Sequence, residues 1–146
     1  MIVPRTSRHS VVATSAGGLA ISASVRSHTV VTDQPVRAGG NDSAPTPLDL
    51  LGVSLSSCIA LHVLQFCQAE RLEADGLAVE VKPVWRGDPG RIARFDVVLH
   101  LPEAIPASYR PGIGDVVRAC PVFQTLVHAA EVEYTDVATT ASAPAI

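Results

Sequence analysis

Apolar and polar residues alternate weakly from His9 to Ala13 and again from Leu19 to Val25, on either side of Ser15-Ala16-Gly17-Gly18. A two-residue period across a turn signal of this kind predicts a β-hairpin. The β-branched run His28–Thr32 predicts a third strand, and residues 33–46, rich in Gly, Pro, Asn and Asp, predict a loop with little to bury. The pattern then changes, because the twenty residues from Leu50 to Ala69 carry no formal charge. Thr46 can cap a helix here, with Pro47 at its first position and Asp49 completing a T-x-x-D capping box. This helix is expected to reach about Glu73 and to stop before Gly76. Leu77–Trp85 and Arg91–Leu101 alternate about Gly87-Asp88-Pro89-Gly90 and predict a second hairpin. Residues 102–114 mix short helical pieces with breaks. Pro121 then opens a helix expected to run to about Ala130, and it holds Cys120 extended at the cap. Glu131–Val137 predicts a last strand and Ala138–Ile146 a loose tail. The order β-β-β-α-β-β-α-β with antiparallel hairpins predicts an α+β fold, not a doubly wound parallel sheet.

A length of 146 residues predicts one domain, 1–146, with its core over about 9–137. With 47% hydrophobic and 17% charged residues, the chain is not of the disordered class. The net charge is −3 and Lys82 is the only lysine, so no basic stripe exists and no nucleic-acid partner is expected. The uncharged stretch is long enough to span a bilayer. It also holds Ser54, Ser56, Ser57, His62, Gln65 and Gln68, too many polar groups for a lone lipid-facing helix, and no membrane partner is expected. The alternative is a helix buried on nearly every side. A chain this short has trouble covering such a helix alone, so a sheet around it or a partner subunit is expected. Met1–Ser10 contains Arg5, Arg8 and His9 and lacks the apolar run of a signal peptide. Three cysteines do not make a secreted disulfide framework, and a cytoplasmic location is expected.

The cysteines are the residues with chemistry to offer. Cys67 follows Cys58 by nine positions, half a turn round the helix and ~13.5 Å along it. Disulfide geometry needs Cα atoms within ~7 Å, so these two cannot pair while the helix is intact. Cys67 reads as core. Cys120 stands at a helix N-terminus, where unpaired N–H groups favour a thiolate. Cys58 lies about three turns inside its helix and would need a nearby cation, for which Arg26, Arg37 and Arg118 are available. His62, four residues after Cys58, shares its helical face. With Cys120 and His128 these residues form a Cys₂His₂ set, but C-x₃-H and C-x₇-H do not match the compact zinc-finger spacing. No metal and no cofactor are therefore expected.

Gly39-Gly40-Asn41-Asp42, Pro47-Leu48-Asp49-Leu50-Leu51, Ser56-Ser57-Cys58, and Ala119-Cys120-Pro121-Val122 with its cysteine 62 positions later, together resemble the OsmC/Ohr family. These are the osmotically inducible and organic hydroperoxide resistance proteins, and the resemblance runs from Val11 to Val137. It implies antiparallel sheets around a long buried helix in an intertwined homodimer. It also implies a thiol peroxidase in which Cys58 attacks an organic hydroperoxide and Cys120 resolves the sulfenic acid as a disulfide, which an external thiol or dithiol then reduces. Leu48 stands where the hydroperoxide-resistance branch has glutamate, whereas Asp49 matches the acid of the OsmC-like branch. Arg37, 21 residues before Cys58, is the candidate for the family's thiolate-stabilising arginine, with Arg26 the fallback. The expected site is thus Cys58, Cys120, Arg37 and Asp49, with Cys58 ionising well below ~8.5 beside an apolar pocket of residues such as Leu51, Leu55 and Phe123. One rival reading is a small-molecule-binding or structural dimer that keeps the fold without the activating charge, and another is a metal-binding thiol protein.

Overall fold

The computed structural model describes residues 9–88 and 90–138. The chain divides into two compact units, one formed by residues up to Leu50 together with those from Tyr134 on, the other by Leu51–Glu133.

In the first unit, β1 (Val11–Ser15), β2 (Ile21–Val25) and β3 (His28–Thr32) form an antiparallel sheet in sequence order. Val11 pairs with Val25, and Val25 with His28. The segment after β3 departs from the expectation of little to bury. Thr32 and Asp33 are both buried. One Asp33 carboxylate oxygen accepts the Gln34 N–H at 2.8 Å, and the other accepts Asn41 N–H, Ser43 N–H and the Ser43 hydroxyl at 3.1, 3.1 and 2.7 Å. A carboxylate can accept all of these at once, so one buried acid organises the whole loop. Ser43 first, then the Gln34 N–H, hold its pKa down to about 2. Gly40 belongs to the same device, since a Cβ there would collide with the Gln34 carbonyl and sit 2.8 Å from Asp33 Oδ1.

Helix α1 (Pro47–Ala69) begins as its sequence dictates. Asp49 N–H donates to Thr46 Oγ1 at 3.1 Å, while the Asp49 carboxylate accepts from Thr46 N–H and Oγ1 at 2.9 and 2.7 Å. That is a reciprocal capping box. The helix stops short of Glu73 because Arg71 turns left-handed at φ 56°. Arg71 N–H then reaches the Gln68 carbonyl and Leu72 N–H the Cys67 carbonyl, which closes a Schellman motif on a non-glycine residue.

In the second unit, Leu55, Ile59, Val63 and Cys67 line the buried stripe of α1, spaced by four as one helix face requires. Ile105, Ile113 and Cys120 complete that core, and Val79, Val81, Phe95, Val97 and Leu99 pack against it. Those last residues come from the antiparallel hairpin of β4 (Ala78–Arg86) and β5 (Arg91–His100). The opposite side of α1 is open: Val53 and Leu61 are 55% and 53% exposed. Within one chain the helix is therefore buried along one stripe, not on every side. A short 3₁₀ turn, Ala107–Tyr109, leads into α2 (Arg110–Ala119) and then α3 (Pro121–Val127). Pro111, Gly112 and Gly114 hide α2 from a reading of periodicity; Gly112 is needed because a Cβ there would press to 3.1 Å from the Phe66 ring.

The expected final strand is absent among the described residues. Residues 129–138 have no regular structure, and Val132 and Tyr134 are 91% and 87% exposed. A strand needs a neighbouring edge to bond to, and among the described residues none pairs with this segment. The expected tail lies outside the described residues from 139 on. The architecture remains α+β with antiparallel sheets.

Candidate active site

Cys58 sits in the fourth turn of α1, three residues beyond the buried Leu55 and one before the buried Ile59, so its thiol emerges at the edge of the core stripe, half-buried. His62, one turn further on, is also half-buried and shares that face. Cys120 comes from the other side of the same unit. Its backbone is extended (φ −55°, ψ 128°) because Pro121 follows, and its side chain is fully buried. The Cys58 and Cys120 sulfurs and a His62 ring nitrogen all lie within 4.8 Å of one another. His128, at the exposed C-cap of α3, is not part of this cluster. Cys67 is buried at the far end of the stripe, and burial pushes its thiol up.

The ionisation of Cys58 departs from expectation. Burial, followed by the hydrogen bond its thiol makes to Cys120, pushes it above the ordinary value of 9.0. The Val122 N–H, at the second position of α3, bonds the Cys58 sulfur and pulls the other way. The helix-end donor that the sequence assigns to Cys120 is thus aimed at Cys58. None of these influences is a cation. Arg118 is occupied with Asp115 at 2.9 Å, and Arg26 and Arg37 belong to the first unit. Asp49 is engaged by Thr46, which lowers its pKa.

A cavity of about 340 Å³ opens in the same unit, and none of the three cluster residues lines it. Its walls include Leu55, one turn before Cys58, and Phe123, next to Val122, together with Phe95, Val97 and Leu126. Leu51 is not among its walls. Arg94 stands on the rim, in a two-bond pairing with Asp96. The arrangement offers two thiols near one another, a third potential metal ligand, and a mostly apolar chamber in the same unit.

Sequence reasoning found both thiols and His62. It missed the Val122 donor, although Cys-Pro-Val carries the signal: proline at the first helical position leaves the next free N–H on Val122. It also missed Asp33, whose signal is an acid eight to ten residues ahead of Asn41 and Ser43.

The family model of OsmC-like proteins matches residues 39–135. No curated protein sequence matches. Among solved structures, one from Psychrobacter arcticus, named for osmotic stress induction and detoxification response, aligns with a TM-score of 0.72 and 23% identity, covering 86% of this chain and 91% of that one. An OsmC-like protein from Mycoplasma pneumoniae aligns at 0.63 and 16% identity, over 86% and 91% of the two chains. The organic hydroperoxide resistance protein OsmC of Legionella pneumophila aligns at 0.59 and 13% identity, over 83% and 91%. At such identities the likeness is one of fold.

Proposed function

This chain belongs to the OsmC-like protein family, and on that footing we propose that it is a thiol-dependent peroxidase acting on organic hydroperoxides as a homodimer. The Cys58 thiolate attacks the peroxide; an S–O bond forms as the O–O bond breaks, and the alkoxide leaves as the alcohol after taking a proton. The Cys58 sulfenic acid then condenses with the Cys120 thiol, releasing water and forming a disulfide. An external thiol or dithiol returns both cysteines to the reduced state. The observation that carries this reading is the proximity of the Cys58 and Cys120 sulfurs, within 4.8 Å of each other, with the third cysteine outside that cluster. The apolar cavity in the same unit, walled in part by Leu55 one turn before Cys58, supports an organic substrate over hydrogen peroxide.

Burial opposes the Cys58 thiolate and no cation is among the influences on it, so activation requires a positive charge. Arg37 is the residue we assign to that task, with Arg26 the alternative. Asp49 serves the site through its capping of α1, which sets the helix start from which Cys58 projects. The exposed apolar side of α1 is the surface we assign to the partner subunit. Consumption of cumene hydroperoxide and hydrogen peroxide by the wild type, Cys58→Ser and Cys120→Ser tests the proposal. Turnover by the wild type with preference for the organic peroxide, abolished by Cys58→Ser, supports it; equal activity in Cys58→Ser overturns it. The upward push on Cys58 favours one second reading, a binding protein that uses the apolar cavity without turnover. It predicts apolar ligand binding that survives Cys58→Ser, and no peroxide consumption by any form.

A further inference from the structure

We propose that Cys58, Cys120 and His62 form a zinc-binding site with an open fourth position. The two sulfurs and the imidazole nitrogen already lie within 4.8 Å of one another. Tetrahedral zinc, with Zn–S near 2.3 Å and Zn–N near 2.0–2.1 Å, requires sulfur–sulfur and sulfur–nitrogen separations of about 3.6–3.8 Å. Closing the set around a metal therefore asks each pair to approach by at most about 1.2 Å, which side-chain torsions alone can supply.

Two features make this a built site. Cys58 and His62 are four residues apart on one rigid helix, the spacing by which a helix presents two ligands to a single ion. Cys120 is fixed opposite them by the extended backbone ahead of Pro121 and is fully buried. The Val122 N–H on the Cys58 sulfur is an outer partner of the kind that orients a metal-bound thiolate. Two sulfurs and one nitrogen are a soft donor set that selects zinc over magnesium or calcium. Two thiolates and a neutral imidazole also balance the charge of a divalent ion. Cys67 is outside the cluster, and so is His128. The zinc-finger spacing rule does not reach this set because its ligands come from two elements 62 residues apart and leave one position free. The proposal does not depend on the peroxidase reading, since a chain that consumes no peroxide can still hold the ion.

The test uses the full-length chain, reduced with a non-chelating phosphine, stripped of metal and titrated with Zn²⁺ against a chromophoric chelator. One Zn²⁺ per chain is expected. Co²⁺ in its place should give sulfur-to-cobalt charge-transfer absorption and the intense visible bands of a tetrahedral ion. His62→Ala should weaken Zn²⁺ by on the order of tenfold or more, Cys120→Ser likewise, and Cys67→Ala should leave it unchanged. His62→Gln and thermal melts of each variant separate loss of a ligand from loss of fold. Absence of stoichiometric binding by the wild type overturns the proposal. So does unchanged affinity in folded His62→Ala, or a cobalt spectrum without sulfur bands. Failure here leaves the peroxide assay free to succeed, and the reverse holds as well.

Discussion

Leu61 lies on the open side of α1 with 53% of its surface exposed, and Val53 and Leu64, at 55% and 39%, share that side. If this face is the seat of the partner subunit, Leu61→Ala removes about half of a leucine's burial value, ~1 kcal/mol, from each protomer. A two-fold interface counts the loss twice. About 2 kcal/mol corresponds to roughly thirtyfold in the dimer dissociation constant. Leu61→Glu adds an unpaired buried carboxylate on each side, several kcal/mol more, and should leave monomer throughout the micromolar range. Sedimentation equilibrium of the wild type and both variants, with circular dichroism to confirm folding, measures this directly. A wild type that is a folded monomer at tens of micromolar refutes the assignment. A Leu61→Glu dimer as tight as the wild type shows that the partner sits elsewhere.

Asp33 ionises at about 2 when folded, against an ordinary 3.8. Its contribution is therefore complete above the unfolded value and lost as pH falls through the folded one. Asp33→Asn should lower the melting temperature at neutral pH and flatten its decline between pH 4 and pH 2; a variant whose acid melting profile parallels the wild type's would contradict the hub role. Arg37→Ala should slow peroxide consumption by on the order of tenfold or more and move Cys58 alkylation to higher pH, with disulfide connectivity unchanged. Unaltered turnover in both Arg37→Ala and Arg26→Ala would remove the arginines from the mechanism.

Much of the fold is legible because local signals decide it. The Gly17-Gly18 turn, the Thr46–Asp49 capping box and the alternation of Ala78–Arg86 all leave their mark in a few adjacent residues. Features that depend on distant groups do not. Helix α1 ends on a left-handed arginine, which no residue preference announces. Helix α2 forms despite its glycines, and Phe66 approaches Gly112 closely enough that a Cβ there would press on its ring. Residues 131–137 alternate like a strand, yet a strand needs an edge, and alternation does not say whether the chain supplies one. The site divides in the same way. Helical spacing alone puts Cys58 and His62 together and Cys67 apart. That Cys120 meets them rests on the resemblance until the folded unit brings its sulfur within 4.8 Å of both. The upward push on Cys58 is not legible in the sequence, because burial and the Cys120 contact are properties of packing.

The most direct measurement is peptide mapping under non-reducing conditions after one equivalent of cumene hydroperoxide. The account predicts a Cys58–Cys120 disulfide with Cys67 free, and in Cys120→Ser a sulfenic acid trapped at Cys58 that excess peroxide drives to sulfinic acid. Cys67 in the disulfide, or all three thiols intact after treatment, would contradict it.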